Sequence, residues 1–192
     1  MNEKAVGRLE VITGCMFSGK SEELIRRLRR AQIAKQTTLV FKPKIDNRYS
    51  NIEVVSHSGV KIDAIPVKDS NVILEYVARY PNVQIIGIDE GQFFEPNIVF
   101  LVRELLEQNK RIMVAGLDMD FRGEPFGAMP ILMAMADEVL KLHAICTVCG
   151  EDAMMTQRII NGRPARYDEQ IILIGASETY EARCRKHHEI RY

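Results

Sequence analysis

The sequence of 192 residues contains no tryptophan, few aromatic residues and no excess of either charge. Lysine plus arginine equals aspartate plus glutamate, at 26 each, and aromatic residues make up 7% of the chain. A protein whose main partner is a nucleic acid or an anionic membrane usually carries a strongly basic surface. The composition therefore favours partners other than nucleic acid and membrane.

Long apolar runs and an export signal are also missing. No segment approaches the roughly 18 apolar residues that a bilayer span requires. The first ten residues, MNEKAVGRLE, lack the apolar core of a signal peptide. We therefore expect a cytoplasmic protein whose four cysteines stay reduced, where metal binding or thiol chemistry explains cysteines better than disulfides do.

Apolar runs of strand length alternate with segments of helical period along most of the chain. Residues 9–13 form a β-branched run, and the almost purely apolar residues 83–88 are typical of a parallel strand covered on both faces. Further strands are expected over residues 37–41, 52–55, 62–67, 112–115 and 139–145, and helices from residue 21 and over residues 71–79, with Ser70 as N-cap, 97–109 and 130–136. This alternation predicts an α/β fold with a parallel sheet flanked by helices.

A glycine-rich segment follows the first predicted strand. Residues 14–21, GCMFSGKS, match the pattern G-x-x-x-x-G-K-[ST] at every specified position. In this pattern backbone amides wrap the phosphates, Lys20 reaches the β- and γ-phosphates, and the Ser21 hydroxyl ligates Mg²⁺. The alternative is a plain glycine turn with a surface lysine, but the position between a strand and a helix favours a phosphate-binding loop. The predicted ATP- and Mg²⁺-binding residues of this loop are Gly14, Cys15, Met16, Phe17, Ser18, Gly19, Lys20 and Ser21.

Two carboxylates, Asp89 and Glu90, end the apolar run of residues 83–88. P-loop proteins hold Mg²⁺ with a carboxylate at the C-terminal tip of such a strand, so Asp89 is expected beside the metal. Glu90 is then free to orient an attacking hydroxyl or water, because alignment matters more than base strength in a loose phosphoryl-transfer transition state. A solvated strand end is the alternative, and the pair alone does not separate a kinase from an ATPase.

Two short cysteine motifs lie near the C-terminus, CTVC at residues 146–149 and CRKH at residues 184–187. Three thiolates and one imidazole form the closed tetrahedral set of a structural Zn²⁺ site. The predicted ligands are Cys146, Cys149, Cys184 and His187, with His188 as an alternative to His187. Cysteines acting as small core residues are the competing explanation, and Cys15, inside the glycine-rich loop, is not expected to be a ligand.

The character of the sequence changes at Cys146. The segment from this residue onward carries three of the four cysteines and an Asn161-Gly162 pair, which is a strong signal for a two-residue hairpin turn. We therefore predict two domains. Residues 1–145 form the nucleotide-binding domain, and residues 146–192 form a small metal-stapled unit, here called the C-terminal lobe.

Together these motifs resemble the cytosolic-type (type II) thymidine kinase family, in its bacterial form, over almost the whole chain. The stretches that carry the resemblance are GCMFSGKS at 14–21, DEGQFF at 89–94, FRGEPFG at 121–127 and the two cysteine motifs. The resemblance implies a RecA-like parallel α/β domain with a zinc-held lasso that closes over thymidine. It also implies transfer of the γ-phosphoryl of ATP to the 5′-hydroxyl of thymidine, which gives dTMP for DNA synthesis.

The same resemblance implies roles for individual residues. Glu90 would be the catalytic base toward the 5′-hydroxyl, Phe121 would pack against the thymine ring, and the lasso backbone would bind the edge of the base. Further ATP- and Mg²⁺-site residues would be Arg48, Gly91 and Gln92. The implied thymidine-binding residues are Met16, Leu117, Phe121, Thr156, Ile171, Ile172, Leu173, Ile174, Gly175 and Tyr180. Ordinary packing is the alternative role of the aromatic residues and of Met16.

The family resemblance further implies a homotetramer and feedback inhibition by dTTP. Cys15 departs from the serine or proline expected at its position, which puts in doubt only whether the loop is insensitive to oxidation.

Two other functions compete with a kinase. A zinc-ribbon P-loop ATPase acting on nucleic acid would need basic grooves with interleaved aromatic residues. A nucleotide-sensing module without turnover would not require the complete set of Lys20, Ser21, Asp89 and Glu90.

Overall fold

The computed structural model of the chain describes residues 6–44, 53–55, 61–172 and 178–192. Among the residues singled out from the sequence, Arg48, Leu173, Ile174 and Gly175 lie outside these described ranges. Within them, none of the helices combines the length and the hydropathy that a bilayer span would require.

Up to residue 145, strands and helices follow one another in the order that the hydrophobic pattern predicts. The strands are β1 (Arg8–Gly14), β2 (Thr38–Pro43), β3 (Glu53–Val55), β4 (Lys61–Asp63), β5 (Ile65–Val67), β6 (Ile85–Ile88), β7 (Arg111–Gly116), β8 (Glu138–Leu142), β9 (Ala144–Ile145), β10 (Asp152–Ala153), β11 (Met155–Ile160), β12 (Arg163–Pro164) and β13 (Glu178–Arg183). The α-helices are α1 (Lys20–Ile33), α2 (Asn71–Arg79), α3 (Ile98–Glu107) and α4 (Met129–Met135), and a 3-10 turn covers Gly91–Phe93.

Six strands form the central sheet in the order β5-β2-β6-β7-β1-β8, and every neighbouring pair is parallel. The predicted α/β fold with a parallel sheet flanked by helices is confirmed. Because parallel strands all end at the same edge, the loops after β1, β6 and β7 lie next to one another. The predicted phosphate loop and the Asp89-Glu90 pair therefore meet at this edge.

The two faces of the sheet have separate cores. Along β1, Leu9 and Val11 pack into the core that includes residues of α2, α3 and α4, whereas Ile12 points to the opposite face. This alternation follows from the two-residue period of a strand. On the Ile12 face, Leu24 and Leu28 belong to the apolar stripe of α1, which confirms the helical pattern read from the sequence.

Several predicted boundaries need correction. The segments 62–67 and 139–145, each expected as one strand, are two strands, with breaks at Ala64 and His143. Ser70 does occupy the N-cap position of α2, but its side chain makes no capping hydrogen bond and donates instead to Glu95. The amide of Asn71 is satisfied by Asp69 Oδ1 at 3.1 Å, so the aspartate one residue earlier takes the capping role.

The C-terminal lobe is built from short antiparallel strands. Strand β11 lies between β12 and β13, and β10 pairs with β9, which immediately precedes the lobe. The turn between β11 and β12 consists of Asn161 and Gly162, with φ angles of 51° and 73°. Positive φ at both central residues is the geometry of a type I′ hairpin turn, so the hairpin prediction is confirmed.

Candidate active site

The loop between β1 and α1 folds back on itself. Gly14 has a φ of 139°, and a Cβ atom at this position would lie 2.1 Å from the Leu142 carbonyl oxygen, so only glycine fits. The Ser18 hydroxyl and the Lys20 ammonium both donate to the Cys15 carbonyl oxygen, each at 2.8 Å. The loop is thus closed into a cradle by its own side chains.

Helix α1 begins at Lys20, directly after the cradle, with Gly19 as its left-handed N-cap. The unpaired amides of a first helical turn and the helix dipole together attract anions. Burial lowers the pKa of Lys20, an effect that the negative charges of Glu90 and Asp89 oppose. Because a bound anion would favour the charged form of this lysine, the loop has the electrostatics of a phosphate site.

A hydroxyl and a carboxylate lie close together beside the cradle. The Ser21 hydroxyl is 3.3 Å from Asp89 Oδ2 and 3.4 Å from Oδ1. Oxygen ligands at about 2.1 Å from Mg²⁺ are about 3 Å apart when adjacent in an octahedron, so these two groups fit that ion. Burial raises the pKa of Asp89, and the neighbouring Glu90 raises it further. A divalent cation would relieve both effects.

Glu90 has an unusual backbone conformation, with φ 54° and ψ 43°. Left-handed geometry is uncommon for a residue other than glycine, and it clusters at functional sites. The carboxylate is held by Gln92, whose Nε2 donates to Glu90 Oε2 at 2.6 Å. Gln92 Oε1 in turn accepts a hydrogen bond from the Leu117 amide at 2.9 Å. The side chain of Gln92 therefore fixes the orientation of the Glu90 carboxylate relative to β7.

A cavity of about 290 Å³ adjoins the cradle. The residues singled out from the sequence that line it are Met16, Phe17, Gly19, Lys20, Ser21, Glu90, Gln92, Leu117, Phe121, Thr156, Ile171 and Tyr180. The other described residues of that prediction, Gly14, Cys15, Ser18, Asp89, Gly91 and Ile172, do not line it. Among these residues, the Ile172 side chain is exposed. The cavity thus brings together residues of the predicted phosphate loop and residues of the predicted nucleoside pocket.

The C-terminal lobe reaches the cavity through direct hydrogen bonds. The Met16 amide donates to Thr156 Oγ1 at 3.1 Å, so a lobe strand contacts the phosphate loop itself. His188 Nε2 donates to the Phe121 carbonyl oxygen at 2.8 Å, which connects the end of the lobe to the cavity wall. Lobe and cradle therefore form one continuous site.

Four residues that line the cavity were not singled out from the sequence, namely Glu22, Phe93, Asp120 and Phe126. Phe93 and Phe126 pack edge to face with ring centroids 5.5 Å apart, and Asp120 is held by Arg122 Nε at 2.8 Å. The motifs DEGQFF and FRGEPFG contain both phenylalanines. Their spacing alone does not show that side chains from the ends of two different strands meet.

The two cysteine motifs converge on one point. The ligand atoms of Cys146, Cys149, Cys184 and His187 all lie within 4.8 Å of one another. Two ligands on a tetrahedral Zn²⁺ would be about 3.8 Å apart for a sulfur pair and about 3.6 Å apart for sulfur with nitrogen. The Cys149–Cys184 sulfurs are 3.8 Å apart, and His187 Nδ1 lies 3.3 Å from Cys184 Sγ and 3.7 Å from Cys146 Sγ.

This geometry fits a structural Zn²⁺ site. It favours His187 over His188 as the fourth ligand, because His187 belongs to the cluster whereas His188 bonds to Phe121. Cys15 lies outside the cluster, as expected.

Comparison with known proteins identifies the family of this chain. The model of the family described as "Thymidine kinase" matches residues 7–188. A protein from Coprothermobacter proteolyticus (strain ATCC 35245 / DSM 5265 / OCM 4 / BT), named "Thymidine kinase", is 62% identical over 184 residues, covering 96% of this chain and 91% of that protein. The chain therefore belongs to the thymidine kinase family, as a bacterial-type member.

Proposed function

We propose that the protein transfers the γ-phosphoryl group of ATP to the 5′-hydroxyl of thymidine and so produces dTMP. The observation that carries this proposal is the shared cavity. Its wall contains phosphate-loop residues such as Lys20 and Ser21, apolar residues such as Phe121 and Met16, and the Glu90 carboxylate. Membership of the thymidine kinase family supports the same reaction.

On the donor side, the residues of the cradle bind the triphosphate. The amides of the loop and of the first turn of α1 point toward the phosphates, and Lys20 leaves the Cys15 carbonyl to contact the β- and γ-phosphoryl oxygens. Ser21 and Asp89 hold Mg²⁺, which neutralises charge on the phosphates when bound. Arg48, Gly91 and Gln92 complete this side of the site in our proposal.

On the acceptor side, Glu90 orients the nucleophile. The 5′-hydroxyl donates its proton to the Glu90 carboxylate while a bond forms between the 5′-oxygen and the γ-phosphorus. The bond from the γ-phosphorus to the β,γ-bridging oxygen breaks, and ADP leaves. Gln92 keeps the carboxylate aligned, because its hydrogen bonds fix it between Glu90 and the Leu117 amide.

The apolar half of the cavity binds the base. Phe121 packs against the thymine ring, and Met16 and Thr156 lie near its methyl group. Leu117 and Tyr180 complete the pocket, and residues 171–175, including Ile171, Ile172, Leu173, Ile174 and Gly175, bind the edge of the base through backbone groups. Because a pocket shaped around one methyl group gains only about 1–3 kcal/mol, we expect modest discrimination against deoxyuridine.

We further propose that the protein works in the cytoplasm as a homotetramer and that dTTP inhibits it. Inhibition follows from the shared cavity, since a thymidine carrying three phosphates would occupy the base pocket and the cradle at once. The tetramer follows from family resemblance, and light scattering tests it against the mass of four chains of 21.9 kDa each. A mass of one or two chains would contradict that part of the proposal.

The reaction is tested by mixing the protein with Mg-ATP and each common nucleoside in turn, and by chromatography of the products. We expect dTMP and ADP in equal amounts with thymidine, a lower rate with deoxyuridine and no product with purine nucleosides. Hydrolysis of ATP stimulated by DNA, without any nucleoside monophosphate, would instead fit a nucleic-acid ATPase and would falsify the kinase assignment.

A further inference from the structure

We propose that Arg158 is a positioning residue for the nucleoside. Its guanidinium would set the orientation of two aromatic rings in the cavity wall and hold the start of the segment that follows Gln170, without touching the substrate itself. This inference rests on the proposed nucleoside kinase function. It concerns a residue that is completely buried and does not line the cavity.

The position of Arg158 follows from strand register. Thr156 and Arg158 are two residues apart on β11, so their side chains leave the same face of the lobe sheet. Tyr180 lies directly opposite Arg158 on β13, which puts its side chain on that face as well. Because Thr156 and Tyr180 both line the cavity, this face is the one that the lobe turns toward the substrate.

The guanidinium is in contact range of two rings. The Arg158 Cζ atom lies 5.1 Å from the ring centroid of Phe121 and 5.9 Å from that of Tyr180. A cation within about 6 Å of a ring centroid is attracted to the ring face, and the attraction is strongest where water is excluded. One planar group therefore restrains both the proposed thymine-stacking ring and the ring on the lobe strand.

A hydrogen bond adds a third restraint. Arg158 Nη1 donates to the Gln170 carbonyl oxygen at 2.5 Å, and the next residue, Ile171, lines the cavity. The backbone of Arg158 contributes as well, since its carbonyl oxygen accepts the Ala165 amide at 3.0 Å. The same residue thus anchors both ends of the chain segment between β12 and Ile171.

Stability alone does not explain an arginine here. Replacing a buried charge by an apolar side chain of similar volume is often neutral or even stabilising. Lysine would keep the charge but lose the planar group that faces rings and donates in fixed directions. The arrangement is therefore best explained by what it positions, namely Phe121, Tyr180 and the backbone at Gln170.

The first test is steady-state kinetics of Arg158→Met and Arg158→Lys, with Arg163→Met as a matched control on the exposed strand β12 of the same lobe. We expect Arg158→Met to raise the KM for thymidine by about tenfold or more, because small misplacements of binding groups are costly. The KM for ATP should stay within about twofold, and Arg158→Lys should lie between wild type and Arg158→Met. Arg163→Met should behave as wild type.

A double-mutant cycle with Phe121→Leu separates positioning from simple packing. If Arg158 acts through the Phe121 ring, Arg158→Met should raise the KM for thymidine several-fold less in the Phe121→Leu background than in wild type. Equal effects in both backgrounds, an unchanged KM for thymidine, or equal rises of the KM for thymidine and for ATP would overturn the inference. If Arg158→Met fails to fold, Arg158→Lys carries the same comparison.

The same experiment distinguishes this inference from the proposed function. If the wild-type protein forms no dTMP, both the proposed function and the inference about Arg158 are wrong. Wild-type activity with an Arg158→Met or Arg158→Lys variant of normal thymidine KM would remove the inference alone.

Discussion

At the scale of single residues, the proposed reaction depends most on the Glu90 carboxylate. The Glu90 backbone is left-handed, and its carboxylate accepts a hydrogen bond from Gln92. Replacing Glu90 by Gln keeps the shape but removes the proton acceptor, so we expect kcat to fall by about 10²- to 10⁴-fold while the affinity for ATP is retained. Single-turnover kinetics and ATP titration measure both quantities.

The control for this substitution is Glu75→Gln, on the exposed face of α2, which should leave both quantities unchanged. Near-normal turnover of Glu90→Gln would refute the role of this carboxylate as the base.

Cys15 occupies a position at which the family resemblance implies serine or proline. Its side chain is buried, its thiol donates to the Ala153 carbonyl at 3.3 Å, and burial raises the pKa of the thiol. Since the thiolate is the reactive form, we expect the thiol to be inert in the folded protein. After metal removal, iodoacetamide should modify Cys15 at least about tenfold more slowly than the exposed Cys149, as followed by mass spectrometry. Equal rates would show that the loop is sensitive to oxidation.

The position of a single residue can be predicted from the sequence where a motif fixes both residue type and place. Lys20 and Ser21 follow from such a motif, because the phosphate loop is one continuous segment. Asp120, Arg158 and the contact from His188 to Phe121 were missed, since each depends on elements that are far apart in the chain. The period of the hydrophobic pattern predicts which face of a strand a side chain lies on. It does not predict which residue of another element lies across the cavity from that side chain.

At the scale of elements, a buried carboxylate joins β1, α1 and β7. Glu10 is 1% exposed, and its two oxygens lie 2.6 Å from Arg27 Nη1 and 2.6 Å from Arg111 Nε. Removing the charge would leave two arginines without this partner. We therefore expect Glu10→Gln to lower the free energy of unfolding by about 2–3 kcal/mol at neutral pH, measured by urea denaturation. The exposed Glu107→Gln serves as control and should change it little.

The pH dependence of the same network has a defined sign. Burial alone would raise the pKa of Glu10, but hydrogen bonds from Arg111 and Arg27 outweigh it and lower the pKa below its ordinary value of 4.5. A carboxyl whose pKa is lowered in the folded state stabilises the protein above the unfolded value and loses that contribution as pH falls through the folded value. The difference between wild type and Glu10→Gln should shrink as pH falls below 4.5. A difference that is constant with pH would contradict this account.

Secondary structure was predictable where hydrophobic period was uninterrupted. The strand β6 and the helix α1 were expected because their apolar residues recur at strand and helix spacing. The breaks at Ala64 and His143 were not expected, since the apolar pattern runs across them while the backbone changes sheet. Strand β8 ends in the central sheet, whereas β9 pairs with β10 beside the lobe.

At the scale of the whole molecule, the proposed zinc site is connected to the proposed base pocket. His187 belongs to the cluster, and the next residue, His188, donates to the Phe121 carbonyl. We expect Cys146→Ser, or removal of the metal by chelation, to raise the KM for thymidine by about tenfold or more. The KM for ATP should change less, because the cradle belongs to the central sheet.

Zinc content by atomic emission is measured alongside these kinetics. Undiminished metal in Cys146→Ser would show that the ligand assignment is wrong. An equal loss of both affinities would show that the metal supports the whole fold and not the nucleoside pocket in particular.

The order of the strands in the central sheet could not be predicted from the sequence. Which parallel strands are neighbours depends on packing between segments that are far apart in the chain. The division into residues 1–145 and 146–192 remains our proposal. Direct bonds from Met16 to Thr156 and from Phe121 to His188 cross that boundary, so the two parts share one site. The phosphate loop and the cysteine motifs were enough to predict a function from the sequence. Only the structure shows that the C-terminal lobe contacts the phosphate loop.

The most direct test of the account is a crystal structure with thymidine, Mg²⁺ and a non-hydrolysable ATP analogue. We predict the triphosphate in the cradle of residues 14–21 and the thymine ring against Phe121. The thymidine 5′-oxygen should lie within about 3 Å of the Glu90 carboxylate. A 5′-oxygen more than about 6 Å from Glu90, beyond reach of a direct hydrogen bond, or a base bound elsewhere would contradict the central claim.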